Sequence, residues 1–169
     1  PGGGSNVAGS LLVKAPAGTD SGVLVAGART YTGSTLRPGT LGVYYPGLTA
    51  AESADGPVRV NGLRQDASAR SNLAIANLGV GSGTSTYRWE VFDGTTGRLA
   101  GVGPDIAIGP GGWYQKGIVL SDFGVSNGYV RVSRISGNEP FTTYGVINDG
   151  ATPSSGATND GSFVGFSNR

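Results

Sequence analysis

Glycine and proline interrupt this chain so often that long helices have no room to form. Of its 169 residues, 32 are glycine and nine are proline. An interior glycine costs a helix about 1 kcal/mol relative to alanine, and a proline about 3 kcal/mol. Few windows run two helical turns without meeting one or the other. Between the interruptions lie short runs of β-branched and aromatic residues, the composition of strands. The run 86–92 is the clearest: Tyr87, Trp89 and Val91 share one face, while Arg88 and Glu90 point the other way. The turn residues Asp93-Gly94-Thr95-Thr96-Gly97 then predict a hairpin with 98–102. Further strands are expected at 11–14, 23–30, 40–45, 58–60, 72–78, 105–108, 113–120, 129–135, 141–147 and 162–166. Short strands at near-regular spacing predict an all-β fold, an antiparallel sandwich.

The composition also removes most catalytic chemistry. Without histidine, cysteine or methionine there is no Ser-His-Asp triad, no thiolate nucleophile, no usual zinc, haem or iron–sulfur ligation and no disulfide. Neither enzymatic activity nor a cofactor is expected. Charged residues make up 14% of the chain, against about 25% in average proteins, and the net charge is +1. The arginines are scattered, so no basic stripe marks a nucleic-acid partner. No apolar run approaches the roughly 20 residues that span a bilayer, and membrane insertion is not expected. A cysteine-free chain rich in glycine, serine, threonine and asparagine suits an extracellular or cell-surface setting. The opening Pro1-Gly2-Gly3-Gly4-Ser5 reads as a processed product or an excised fragment.

An internal repeat shapes the expected domain organisation. Residues 9–18 align without gaps on 128–137, residues 23–28 on 141–146, and residues 39–41 on 161–163, at shifts of 119, 118 and 122. With a period near 119, residues 50–169 make one complete β-sandwich module and residues 1–49 the last third of another. Such a partial sheet leaves an apolar face and its edge groups uncovered. The side chains that need cover are Leu11, Val13, Val23, Val25, Leu41, Val43 and Tyr45. Two arrangements provide it. The strands fold onto the complete module of the same chain, or they complete a sheet in a second copy, joining subunits head to tail into a polymer.

The segment Ala69-Arg70-Ser71-Asn72-Leu73-Ala74-Ile75-Ala76-Asn77-Leu78 resembles the F-R-T-N-L-x-L-x-N strand of tandem β-sandwich repeats in secreted bacterial proteins. Arg29-Thr30-Tyr31 followed by Gly39-Thr40-Leu41-Gly42 is similar to the R-x-Y and G-T-x-G elements of those repeats. Val91-Phe92-Asp93-Gly94 and Gly109-Pro110-Gly111-Gly112-Trp113 are similar to their hairpin and their L-x-P-G turn, and Asn127-Gly128-Tyr129-Val130 to a closing strand. The likeness covers most of residues 9–166, with Ala69 in place of the aromatic residue. The resemblance implies an immunoglobulin-like sandwich in an extracellular or surface setting and implies no activity.

On this reading the chain is a structural subunit of a surface polymer or filament, built by strand complementation. Its subunit interface comprises Val7, Leu11, Val13, Val23, Val25, Leu41, Val43 and Tyr45. The alternative is a non-catalytic module that grips a glycan by stacking on Trp113 or Tyr44. Glu52, Glu90 and Glu139 are the carboxylates available for glycoside hydrolysis, and solvated surface accounts for them better. Asn148-Asp149-Gly150 and Asn159-Asp160-Gly161 carry hard oxygen ligands suited to Ca²⁺, but the same triplets are ordinary turn sequences, and no metal is expected.

Overall fold

The computed structural model describes residues 9–19, 25–33, 38–81, 83–149 and 160–168. Its strands are β1 (Gly27–Gly33), β2 (Thr40–Pro46), β3 (Val58–Arg64), β4 (Ala69–Asn77), β5 (Ser85–Asp93), β6 (Leu99–Val102), β7 (Ile106–Ile108), β8 (Trp113–Lys116), β9 (Asn127–Ser136), β10 (Phe141–Asp149) and β11 (Asp160–Ser167). Helical structure among the described residues is confined to the 3-10 turns Ala50–Glu52 and Ser121–Phe123. All strand pairs are antiparallel, and the fold is an all-β sandwich.

The front sheet runs β5-β9-β3, with β6 and β7 both lying along the outer side of β5; the back sheet runs β8-β4-β10-β11. Strand β11 belongs to both. Its residues through Gly165 pair with β10, and Phe166 and Ser167 pair with Val60 and Arg59 of β3. One side of the sandwich is therefore wrapped by a continuous ladder, like half a barrel.

Between the sheets the alternating positions of β5 do what their spacing predicts. Tyr87, Trp89 and Val91 are at most 1% exposed and pack with Val130 and Val132 of β9 and with Val58, Val60 and Leu63 of β3. The back sheet contributes Leu73, Ile75 and Phe141, whose ring lies 5.1 Å from that of Tyr87. Burying each such side chain stabilises the fold by about 1.5–3 kcal/mol. Two glycines admit this packing. A Cβ at Gly103 would overlap the Trp89 indole, and one at Gly145 would stand 2.7 Å from Leu63.

The chain crosses from front to back sheet between β3 and β4, at an arch tied by Asp66. This carboxylate accepts the Ser68 and Ala69 backbone N–H groups, the Ser68 hydroxyl and the Arg64 Nε. The Ser68 bonds, with Arg64 beside them, hold its pKa far below the usual carboxylate range. Buried Ser71 closes the arch by accepting from the Arg64 N–H and donating to the Arg64 carbonyl.

Several expectations need correction. Residues 11–14 form no strand, because among the described residues no strand pairs with them. The strand expected at 113–120 ends at Lys116, where Gly117 and the left-handed Ile118, with φ 47°, turn the chain. Of the triplets read as turn sequences, Asn148 and Asp149 instead end β10 and pair with Gly161 and Asp160 of β11. Residues 150–159 lie outside the described part. Of the aligned repeat segments, β1–β2 and β10–β11 are both antiparallel pairs, but in different registers, and residues 9–18 have no strand where their counterpart forms β9. Gly145 pairs with Val164, whereas their counterparts Gly27 and Gly42 pair with Pro46 and Tyr31.

The outer face of the front sheet carries charge. Arg88 makes a bidentate pair with Asp105, both bonds at 2.9 Å, and Arg131 one with Glu90 at 2.7 and 2.9 Å. Arg131 also covers the Phe92 ring, which stacks on Tyr129 at 4.8 Å, and Arg59 covers Tyr129 in turn. The hydrogen bonds from Arg131 lower the pKa of Glu90. A carboxylate of this kind stabilises the fold above its unfolded pKa, about 4.3, and that contribution disappears as the pH falls through the lower folded value. Glu90→Gln is therefore expected to lower stability at pH 7 by at most about 1 kcal/mol. The gap to wild type should close as urea titrations are repeated below about pH 4.3. Gly103→Ala should cost about 3 kcal/mol or more at any pH, seen as a lower urea midpoint, because Trp89 has nowhere to move.

Candidate functional site

Strand β10 is buried on both faces. Phe141, Gly145 and Ile147 face the core, which leaves Thr142, Tyr144, Val146 and Asn148 on the outside, level with Gly165, Phe163 and Gly161 of β11. The hairpin β1–β2 covers this outer surface. Val43 of β2 is 5% exposed and seats on Gly161, where a Cβ would overlap its methyl group. The Tyr45 ring meets Tyr144 edge-on at 5.7 Å and Phe163 at 6.1 Å, and Tyr144 and Phe163 lie 5.2 Å apart. Each such aromatic pair contributes about 0.5–1.5 kcal/mol beyond its buried area. Trp113 of β8 donates its indole N–H to the Tyr144 hydroxyl at 3.1 Å. Burial raises the Tyr144 phenol pKa, and the Trp113 donor opposes that rise.

Beside this contact the hairpin and the sheet diverge, leaving an open cleft of about 230 Å³. On the hairpin side the cleft is lined by Thr30, Tyr31, Leu41, Gly42, Val43 and Tyr45. The sheet side presents Asn72 of β4, Gln115 of β8, and Val146 and Asn148 of β10. No acidic or basic residue is among those that line it. The cleft offers amides, hydroxyls and aromatic rings, a set that recognises neutral polar groups.

The expected site residues are divided between several places. Val43 and Tyr45 lie against the β10 and β11 of their own chain, and Leu41 lines the cleft with them. Leu11 and Val13 are 82% and 46% exposed, and Val25 is 91% exposed. Val7 and Val23 lie outside the described residues. Tyr44 is on the far face of β2, 58% exposed, with its phenol lying over Gly27. Trp113 is half-buried, and its N–H is already engaged.

The three carboxylates considered for catalysis stand apart. Glu52 accepts the Thr49 N–H and hydroxyl, Glu90 is paired with Arg131, and Glu139 is wrapped by Gly79 and Gly83. Among the described residues no three acidic side chains gather as a metal site would require. Gln115 was not singled out by sequence reasoning, and Asn148 only as part of a turn triplet with oxygen ligands; the pairing of β8, β4 and β10 puts both beside Asn72.

The chain matches no family model, no curated protein and no solved structure.

Gly161→Val is expected to unseat the hairpin, since the new side chain and Val43 claim the same volume. Hydrogen exchange should show faster amides across β1 and β2, while β5 and β9 keep their protection.

Proposed function

We propose that this chain is a structural subunit of an extracellular assembly, in which the segment around Leu11–Val13 of one copy adds to an open sheet edge of another. The observation that carries the reading is the exposure of three consecutive apolar residues, Leu11, Leu12 and Val13, at 82%, 63% and 46%. They lie in a stretch without regular structure, near which the Ser10 hydroxyl donates to the Gly111 carbonyl at 2.8 Å. Full burial of a leucine or valine side chain is favourable by about 1.5–3 kcal/mol, so a partner that covers the run gains from all three.

Acceptor edges are available. Among the described residues β1 pairs with β2 alone and β8 with β4 alone, each leaving backbone donors and acceptors on one side. Edge lysines, a usual guard against such pairing, are few, since the chain has only Lys14 and Lys116. The low charge density and lack of cysteine support a surface or secreted setting, and the resemblance to tandem immunoglobulin-like repeats supports a role in building rather than in catalysis. No described helix is long and apolar enough to cross a membrane.

Static light scattering across a concentration series tests the reading. Wild type should grow in mass with concentration, and Leu11→Asp combined with Val13→Asp should stay monomeric with an unchanged unfolding midpoint. A wild-type protein that remains a monomer at the highest concentration reached would overturn the proposal.

A further inference from the structure

We propose that the cleft between the β1–β2 hairpin and the outer face of the back sheet binds a neutral saccharide. This site is independent of the strand-complementing segment. The argument begins with unused hydrogen-bonding capacity. Gln115 and Asn148 line the cleft, and among the described residues their side-chain amides make no hydrogen bond to the protein. The hydroxyls of Thr30 and Tyr45 are likewise without a partner there. An amide offers two donors and an acceptor in one plane, which matches the adjacent hydroxyls of a sugar ring.

Asn72 is held in place for this role. Its Oδ1 accepts the Ile118 N–H at 3.1 Å, leaving both of its own N–H donors for the cleft. Ile118 has φ 47°, a left-handed conformation that is strained for a residue with a side chain. The fold retains this strain at the one turn whose backbone orients a cleft amide.

The walls complete the match. Tyr45 supplies aromatic surface for the C–H face of a ring, next to polar groups that fix its orientation, whereas the Tyr31 ring lies on the Tyr44 face of the hairpin beneath Arg29. Charge excludes the ionic alternatives, because the lining has neither a cation for phosphate or carboxylate nor an anion for an amine. Arg70, level with Asn148 in the β4–β10 ladder, already has an interaction of its own. At about 230 Å³ the cleft falls below the roughly 300–1,000 Å³ of sites for drug-sized ligands. It suits one or two sugar residues, and its open side lets a longer chain continue into solvent.

The test is an amide-resolved NMR titration of the intact chain with chitotetraose, cellotetraose, mannotetraose and, as the acidic comparison, tetragalacturonate. At least one neutral tetrasaccharide is expected to shift the signals of Asn72, Gln115 and Asn148 with a Kd of about 0.1–1 mM. Gln115→Ala, at an exposed position, should weaken that binding about tenfold without altering the rest of the spectrum. Tyr44→Ala, on the far face of β2, should leave the affinity unchanged. The proposal is overturned if none of the neutral probes shifts the cleft signals at about 10 mM. It is equally overturned if tetragalacturonate binds more tightly than all three neutral probes, if the shifts fall elsewhere, or if Gln115→Ala binds as wild type does.

Discussion

The double allegiance of β11 is the constraint on which the rest of the molecule rests. Its first residues extend the back sheet beside β10, and its last two reach β3 in the front sheet. A sandwich whose sheets meet only through side chains leaves four edges. Here one side is stitched by backbone hydrogen bonds, so the core beneath, from Val60 to Phe141, is held at a set depth. The same strand presents Gly161 and Phe163 on its outer face, and these give Val43 and Tyr45 their seat. Core, hairpin and cleft thus share one strand.

The two outer faces of the sandwich follow different rules. On the front sheet, carboxylates answer arginines and arginines cover aromatic rings, so the surface is finished by its own side chains. On the back sheet the outer surface is apolar and aromatic and is finished by the hairpin. That cover is incomplete. Where Val43 and Tyr45 touch down the surface is sealed, and alongside them Asn72, Gln115 and Asn148 remain open to a cleft. Gln115 is exposed and Asn72 half-buried, while Asn148, 6% exposed, reaches only the cleft.

Parts of this arrangement are legible in the residue pattern. The strict alternation in β5 announces one buried and one solvated face, and its burial follows suit. Phe141-Thr142-Thr143-Tyr144-Gly145-Val146-Ile147 does not alternate in this way, a sign of a strand covered on both sides. The polar positions of β4 were readable as backbone partners, and Asn77 bonds the Ile108 carbonyl and the Gly79 N–H. The strand expected around Leu11 was not readable in the same sense. Apolar alternation reports a wish for burial, and a strand appears only where a neighbour supplies the other half of the ladder. The early end of β8 escaped notice for a similar reason. Ile118 is a strong strand former, overruled by the bond its N–H makes with Asn72, a residue 46 positions earlier.

The spacing of glycines, prolines and aromatic residues determined by itself that this chain would be all-β, where most strands would lie, and that its chemistry would do without histidine, thiols and dense charge. These are local properties, fixed by backbone freedom and side-chain type at each position. Tertiary structure alone decided that the hairpin would lie on β10 and β11, that Trp113 would spend its N–H on Tyr144, and that three amides from three strands would face one cleft. Those outcomes depend on register and on which surfaces meet, and the energies that select them arise between residues far apart in the chain.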